Sequence, residues 1–224
     1  MSPTAGHALI LADGDAPEPT DLDRAWPGWD DGIDLVIAAD GGARHAAGLG
    51  RSIDLWVGDG DSLGAAGVEA LRAAGIPTQL SPVDKDESDT ELAVLAAAAA
   101  GALRMTILGA LGGNRVDHAV ANVWLLAHPA LGDRRACLLD DRARIRLLPA
   151  GRHDLGGRTG DVISLFAFGG DAEGLTTSGL RYPLTGEPLR SGSTRGLSNV
   201  RDAADAGIDI REGRILVVEI AATL

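Results

Sequence analysis

Short runs of apolar residues recur along the N-terminal part of the chain, and each ends in small or acidic residues where a loop is expected to begin. The runs are unbroken, which is typical of strands that are covered on both faces of a parallel sheet. The predicted strands are Ala8–Leu11, Leu35–Ala38, Leu55–Val57, Thr78–Leu80, Met105–Leu108 and Ala136–Leu139. This βαβ pattern predicts that ligands bind at the carboxyl ends of the strands.

Two helices between these strands have clear boundary signals. The segment Leu63–Ala74 is followed by Gly75, a residue that favours the end of a helix. The segment Ser88–Ala100 begins with Ser88 and Glu91 at the spacing of a capping box. Both segments are therefore predicted to be helices that connect parallel strands.

After about Asp141 the pattern changes to short β-rich pieces separated by turns, with no convincing helix. These pieces are Arg142–Leu148, Asp161–Phe168, Ile208–Arg211 and Ile215–Ile220. The segment Thr176–Gly196, rich in Pro, Gly and Thr, is predicted to form long connections. The sequence thus predicts an α/β fold in which a Rossmann-like, mostly parallel sheet domain at residues 1–135 precedes a smaller all-β sandwich or partial barrel at residues 136–224.

Composition narrows the classes of function. Of the 224 residues, 20 are Lys or Arg and 32 are Asp or Glu, which gives a formal net charge of −12. This balance disfavours contact with a nucleic acid backbone, so we expect no nucleic acid partner. It is compatible with a nucleotide, because a divalent cation can bridge carboxylates and phosphates.

Other sequence features predict a cytoplasmic protein without membrane contact. The single cysteine, Cys137, cannot form an intrachain disulfide. The segment Met1–Leu11 lacks the basic and apolar regions of a signal peptide. The longest Ala-rich run, Leu92–Leu103, is shorter than the roughly 18 residues that a membrane span needs.

Two motifs follow predicted strands and contain acidic residues beside glycines. In Ala39–Ala43, Asp40 is followed by Gly41 and Gly42, where the backbone can approach a ligand closely; a tight turn explains the same pattern. In the second motif, Asp59 and Asp61 flank Gly60. Two nearby carboxylates suit Mg²⁺, which prefers oxygen ligands, although a solvated acidic turn is the alternative.

A third motif contains the only lysine of the chain. Lys85 lies among acidic residues just before the second predicted helix. Its ammonium group can act as a point charge on phosphate, and Asp89 in the first helical turn can complete a metal site. Acidic capping of the helix is an equally good explanation of these residues.

A fourth motif, Gly109–His118, is a Gly-rich loop that runs into a helix and carries Arg115, Asp117 and His118. Such a loop suits phosphate binding, whereas a capping pair at a helix start is the alternative for Asp117 and His118. In the second domain, Ser178–Leu184 and the pair Ser198-Asn199 are, on their own chemistry, only polar turns.

Taken in order, these motifs resemble the thiamine pyrophosphokinase (thiamine diphosphokinase) family over nearly the whole chain. The resemblance implies transfer of the pyrophosphoryl group of ATP to the hydroxyl of thiamine, which gives thiamine diphosphate and AMP. It implies that the first domain binds nucleotide and metal, that the second binds thiamine, and that the chain forms a homodimer whose subunits share the site.

The resemblance also implies roles for individual residues. Metal ligands for Mg²⁺ are expected at Asp59, Asp61 and Asp89. Contacts with the nucleotide are expected from Asp40, Gly41, Gly42, Arg115, Asp117 and His118, and contacts with thiamine from Ser198 and Asn199. Catalytic roles close to the reacting groups are expected for Lys85, Asp86 and Arg115. The proton of the thiamine hydroxyl is expected to pass to Asp86 or Asp40.

Two other classes of function compete with this interpretation. A haloacid-dehalogenase-like phosphatase would use Asp59, Asp61, Ser81, Lys85 and the pair Asp140-Asp141 in the correct order, but it leaves the Asp40 and Arg115 motifs without a role. A non-catalytic sensor of thiamine or nucleotide is the second alternative. A nicotinamide-dependent dehydrogenase is disfavoured, because no Gly-x-Gly-x-x-Gly follows the first predicted strand.

Overall fold

The computed structural model describes residues 6–222 of the chain, so the first five residues of Met1–Leu11, the segment without signal-peptide features, lie outside it. The chain divides into two compact units, the first ending at Asp141 and the second beginning at Arg142. None of the helices within the described range has the length and apolar character that a membrane crossing requires.

The first unit is built on a parallel sheet. Its strands are β1 (His7–Leu11), β2 (Leu35–Ala39), β3 (Leu55–Gly58), β4 (Thr78–Leu80), β5 (Arg104–Leu108) and β6 (Arg135–Leu139). They pair in the order β6-β5-β1-β2-β3-β4, and every residue of the central strand β1 is buried. Each strand predicted in this unit is confirmed. Complete burial of the central strand explains why its sequence is apolar without alternation.

Helices and two 3₁₀ turns connect these strands. The helices are α1 (Pro19–Ala25), α2 (Gly64–Ala73), α3 (Asp89–Ala99) and α4 (Val116–Leu125), and the 3₁₀ turns are Asp40–His45 and Pro129–Leu131. The predicted cap of α3 is confirmed, because the Ser88 Oγ accepts a hydrogen bond from the Glu91 N–H at 3.1 Å. The Glu91 carboxylate pairs with His128 at 3.3 Å.

The observed boundary between the units corrects the predicted division at residues 135 and 136. That division falls inside β6 (Arg135–Leu139) and would assign most of this strand to the second unit, although β6 pairs with β5 of the first. Because the parallel hydrogen bonds of β6 hold it to β5, the first unit extends to Asp141.

The second unit contains two antiparallel sheets. Its strands are β7 (Ala143–Leu148), β8 (Gly151–Asp154), β9 (Val162–Ala167), β10 (Ala172–Ser178), β11 (Thr185–Leu189), β12 (Asn199–Val200), β13 (Gly207–Ile210) and β14 (Ile215–Ile220). One sheet has the order β12-β9-β14-β7 and the other β11-β10-β13-β8. Side chains from both sheets, such as Ile163, Leu175, Ile208 and Val217, form one buried core. A β-rich sandwich is thereby confirmed.

The prediction of long connections over Thr176–Gly196 is wrong in part, because this segment contains the end of β10 and all of β11. The sequence of β11 includes Gly186 and Pro188, which argue against a central strand. However, within residues 6–222 β11 lies at the edge of its sheet, where β10 is its one partner, and an edge strand tolerates proline.

Candidate active site

The order of the parallel strands creates a point where the chain reverses direction across the sheet. From β1 the chain builds outward through β2, β3 and β4, then returns to place β5 on the other side of β1. The connections that follow β1 and β5 therefore lead to opposite sides of the sheet, and a crevice at such a point is a common place for a ligand to bind. A cavity of about 390 Å³ lies here, lined by residues that include Asp13, Asp40, Asp59, Asp61, Lys85, Asp89, Arg115, His118 and Asn122.

Asp40 follows β2 directly and has an unusual backbone conformation. Its φ is +41°, a region that residues other than glycine rarely adopt, and the residue is only 2% exposed. Its carbonyl oxygen accepts a hydrogen bond from Trp56 Nε1 at 3.0 Å, and its Oδ2 accepts one from the Ser62 N–H at 3.0 Å. Its Oδ1 is buried without a hydrogen-bond partner among residues 6–222. Burial raises the pKa of this carboxyl above its ordinary value.

The two glycines after Asp40 have a packing role. A Cβ on Gly41 would collide with the Asp13 carboxylate, and a Cβ on Gly42 would collide with the carbonyl of Leu11. These glycines therefore let the 3₁₀ turn pack closely on the loop after β1. They are not among the residues that line the cavity, although we expected them to contact nucleotide.

Three carboxylates converge at the cavity. Asp40, Asp59 and Asp89 each offer an oxygen, and these oxygens lie within 4.8 Å of one another. Of the expected metal ligands, Asp59 and Asp89 are thus brought together, with Asp40 as the third member. Asp61 also lines the cavity; its N–H donates to Asp59 Oδ1 at 3.0 Å. Asp40 joins the group because β2 and β3 are neighbours in the sheet, which the motif alone does not reveal.

Lys85 is the cation beside these carboxylates. Its Nζ lies 2.9 Å from Asp59 Oδ2 and 3.1 Å from Asp89 Oδ1, and its side chain is 11% exposed. The hydrogen bond from Lys85 lowers the pKa of Asp59, whereas burial raises that of Asp89. Burial disfavours the charge of Lys85, but the two carboxylates outweigh this and raise its pKa. The lysine and both acids thus form a charged cluster.

The Gly-rich loop after β5 leads into α4 as predicted. Arg115 forms a bidentate pair with Asp117, with Nε–Oδ1 at 2.9 Å and Nη2–Oδ2 at 2.7 Å. This pair lowers the pKa of Asp117 to about 2. Arg115 and His118 line the cavity, whereas Asp117 does not. The buried Asn122 donates to the carbonyl of Ala110 at 2.9 Å and holds the loop against the helix.

The loop after β1 belongs to the site, and sequence analysis missed it. Asp13 lines the cavity and pairs with Arg44, and the Asp15 Oδ2 accepts a hydrogen bond from the Gly113 N–H at 2.9 Å. Asp13, Gly14 and Asp15 follow a buried strand in the same Asp-Gly-Asp pattern as residues 59–61. That pattern at a strand end was the signal that could have identified the loop.

Some expected residues lie away from the cavity. Asp86 is exposed and is not one of the cavity-lining residues. Ser81 and the pair Asp140-Asp141, which the phosphatase alternative needs, do not line it either. The geometry therefore favours the interpretation that uses the Asp40 and Arg115 motifs.

In the second unit, Ser198 and Asn199 have different surroundings. Ser198 is exposed and has a φ of +59°, and its N–H donates to Ser164 Oγ at 3.0 Å. Asn199 is only 9% exposed, and its amide exchanges hydrogen bonds with the backbone of Tyr182 at 3.0 and 2.7 Å. Asn199 therefore positions the turn at Tyr182, whereas the Ser198 side chain is accessible.

Both units match known protein families. Residues 29–138 match a family model described as the catalytic domain of thiamin pyrophosphokinase, and residues 152–215 match one described as its vitamin B1 binding domain. The chain belongs to the thiamin pyrophosphokinase family. The prediction from the motifs is therefore confirmed.

Individual members of the thiamin pyrophosphokinase family agree with this assignment. Thiamine pyrophosphokinase of Bacillus subtilis is 29% identical over 143 residues, which are 63% of this chain and 66% of that protein. Thiamine pyrophosphokinase 2 of Oryza sativa subsp. japonica is 36% identical over 102 residues, 44% of this chain and 37% of that protein. The alignments thus span just under two thirds of the first relative and little more than a third of the second.

A solved structure extends the comparison to the fold. The crystal structure of thiamine pyrophosphokinase from Bacillus subtilis matches with a TM-score of 0.84 and 25% identity, and the match covers 97% of this chain and 100% of that one. The predicted fold class is confirmed. Thiamine pyrophosphokinase is the enzyme class that these findings support, and they do not favour the phosphatase.

Proposed function

We propose that this chain transfers the pyrophosphoryl group of ATP to the hydroxyl of thiamine and releases AMP and thiamine diphosphate. The observation that carries the proposal is the convergence of Asp40, Asp59, Asp89 and Lys85 at the cavity of a family catalytic domain. Such transfer requires positioned groups that neutralise charge on phosphate oxygens. Carboxylates that hold a metal, together with nearby cations, meet this requirement.

The carboxylate cluster fits Mg²⁺. Asp40 Oδ1 is buried without a described partner, and the acidic side chains around it outnumber the single ammonium group of Lys85. An all-oxygen donor set is what Mg²⁺ prefers. Asp59, Asp61 and Asp89 remain the proposed ligands, and Asp40 adds negative charge beside them. When bound, the ion would supply positive charge to the phosphates.

The chain's own residues divide the remaining tasks. Arg115 at the end of the Gly-rich loop and His118 in the first turn of α4 contact the phosphates of ATP. Asp117 orients Arg115 through its bidentate pair. Lys85 adds a second positive charge. Of the two acids expected to accept the thiamine proton, Asp40 lines the cavity and Asp86 does not. We therefore assign this proton to Asp40 and place Asp86 outside the reacting groups.

The second unit supplies the thiamine contacts in this proposal. Its family model is named for vitamin B1 binding and spans Ser198 and Asn199. The accessible Ser198 hydroxyl is proposed to contact thiamine, and Asn199 to hold the adjacent turn. A cytoplasmic location also remains a prediction.

The homodimer with a shared site is proposed from the family resemblance. Sedimentation velocity is expected to give twice the chain mass of 22.9 kDa. Mixing an Asp59→Asn protein with a Ser198→Trp protein should restore part of the activity, because one kind of site in a mixed dimer then lacks both changes. Two inactive variants that stay inactive after mixing would contradict a shared site.

A coupled assay of the purified protein with ATP, Mg²⁺ and thiamine tests the activity. We expect AMP and thiamine diphosphate in equal amounts, and neither product when thiamine is omitted. Release of free phosphate without thiamine would instead support the phosphatase. Binding of thiamine without any turnover would support the sensor.

A further inference from the structure

Lys85 contacts the carboxylate oxygens that a divalent cation would need as ligands. Both oxygens of Asp59 are engaged, because Oδ1 accepts the Asp61 N–H at 3.0 Å and Oδ2 lies 2.9 Å from Lys85 Nζ. The same Nζ lies 3.1 Å from Asp89 Oδ1. The ammonium group therefore joins two of the three carboxylates that converge at the cavity.

A divalent cation that contacted these oxygens would lie close to the ammonium group of Lys85. Mg²⁺ binds carboxylate oxygens at roughly 2.0–2.1 Å, so an ion on Asp59 and Asp89 would lie within a few ångströms of Nζ. Like charges at that distance repel, and the Lys85 and Asp59 side chains are only 11% and 8% exposed, which limits screening by water. The two cations therefore compete for these oxygens.

We infer that Lys85 is the counter-ion of the carboxylate cluster in the metal-free protein and that a divalent cation displaces its ammonium group into the cavity. The inference rests on the proposed function, which assigns Mg²⁺ to these carboxylates. Lysine suits the role because its charge is compact and its four-carbon stem is flexible. Lys85 is the one lysine among the 20 Lys and Arg residues of the chain, and the others are all arginines.

Displacement would couple the binding of metal to the binding of phosphate. Lys85 lines the same cavity as Arg115 and His118. While it pairs with Asp59 and Asp89, its charge is neutralised by the protein. Once a metal replaces it, the charge becomes available to an anionic ligand, so the metal prepares the cavity for the phosphates of ATP.

The single lysine permits a direct test in the unmodified protein. Protein labelled with ¹³Cε-lysine gives one lysine side-chain signal, which belongs to Lys85. During titration with Mg²⁺, without ATP or thiamine, this signal should shift and saturate together with the heat of binding measured by calorimetry. Saturation of the heat with an unmoved lysine signal would overturn the inference, as would the absence of any Mg²⁺ binding.

Substitutions test the competition separately. Lys85→Met keeps a similar length and removes the charge, so it should bind Mg²⁺ about tenfold more tightly than the wild type. Lys85→Arg keeps the charge and should stay much closer to the wild-type affinity. Asp84→Asn, an exposed neighbour, is the matched control for a change in this loop. Lys85→Met that binds Mg²⁺ no more tightly than the wild type refutes the competition.

These measurements do not depend on turnover. If the wild type forms AMP with thiamine but the lysine signal ignores Mg²⁺, the inference fails and the proposed function stands. If the lysine signal responds and no AMP forms, the proposed function fails and Lys85 remains the counter-ion of a metal site.

Discussion

Two residues of the proposed site adopt backbone conformations that cost free energy. Asp40 and Ser198 are the non-glycine residues with positive φ in the range 6–222. Such conformations cost on the order of 1–3 kcal/mol and persist where surrounding contacts hold them. Hydrogen bonds from Trp56 and Ser62 hold Asp40, and Ser164 holds Ser198. Both residues also stand in motifs that resemble the family, so the strain coincides with the proposed site.

Asp59→Asn should lower activity without unfolding the protein. The substitution removes the negative charge that pairs with Lys85 and that is proposed to hold the metal. Loss of one such electrostatic group costs about 2.7–4 kcal/mol of transition-state stabilisation, so kcat/KM should fall by roughly a hundredfold to a thousandfold. Steady-state kinetics and circular dichroism measure the two effects. The exposed Asp84→Asn serves as control, and near-normal turnover of Asp59→Asn would refute the metal assignment.

Ser198→Ala should weaken the use of thiamine selectively. The hydroxyl is exposed, and the backbone contact with Ser164 does not need it. Loss of one hydrogen bond to the substrate should raise the KM for thiamine roughly threefold to tenfold, whereas the KM for ATP should change little. Ser193→Ala, at another exposed serine, is the control. An unchanged KM for thiamine would remove Ser198 from the pocket.

At the scale of elements, the site depends on one loop packing against another. Gly14 donates its N–H to the Gly109 carbonyl at 2.9 Å, and a Cβ on Gly14 would collide with the carbonyls of Gly109 and Gly112. The Asp15 carboxylate accepts the N–H of Gly113. The loop after β1 therefore holds the Gly-rich loop that carries Arg115.

Asp15→Ala should raise the KM for ATP about fivefold, because Gly113 loses its partner and the Gly-rich loop that carries Arg115 is less well positioned. Thermal unfolding should change little, since the bond is exposed. Asp15→Asn keeps an acceptor oxygen and should recover most of the affinity. Glu18→Ala is the control, because the Glu18 side chain caps no helix N–H. Equal KM values for Asp15→Ala and the wild type would mean that the bond does not position the loop.

At the scale of the whole molecule, an acidic chain buries an ionic network in its second unit. The fully buried Glu219 accepts hydrogen bonds from Arg144 at 2.7 and 2.8 Å, from Arg146 at 3.0 Å and from Arg201 at 2.9 Å. Arg201, also fully buried, pairs with Asp161. Burial opposes the charge of Glu219, but the arginines outweigh it and lower its pKa below the ordinary value of 4.5. Removing one member leaves buried charges unpaired.

Glu219→Gln should lower the free energy of unfolding at pH 7 by about 3–5 kcal/mol. Because the folded pKa is lowered, Glu219 stabilises the protein above pH 4.5, and this contribution is lost as the pH falls through the folded pKa. The difference in the free energy of unfolding between wild type and variant should therefore shrink as the pH falls below 4.5. Urea unfolding over a pH series measures it, with the exposed Glu212→Gln as control. A difference that stays constant with pH would show that the charge of Glu219 is not responsible.

The sequence by itself determined the strands of the parallel sheet, the start of α3 and the family. Unbroken apolar runs identified the strands of the first unit, and the Ser88 and Glu91 spacing identified the start of α3. These signals are local, because burial of a strand or capping of a helix is expressed by neighbouring residues. The polar edge strand β11 was missed because it buries little apolar surface.

Only the tertiary structure decided which residues meet. Asp40 joins Asp59 and Asp89 because β2 lies beside β3, and Asp15 reaches Gly113 across 98 positions because β1 lies between β2 and β5. Strand order results from the packing of the whole sheet, and no local pattern records it. The residue types at strand ends therefore indicated the chemistry, whereas the partners of each side chain depended on the folded arrangement.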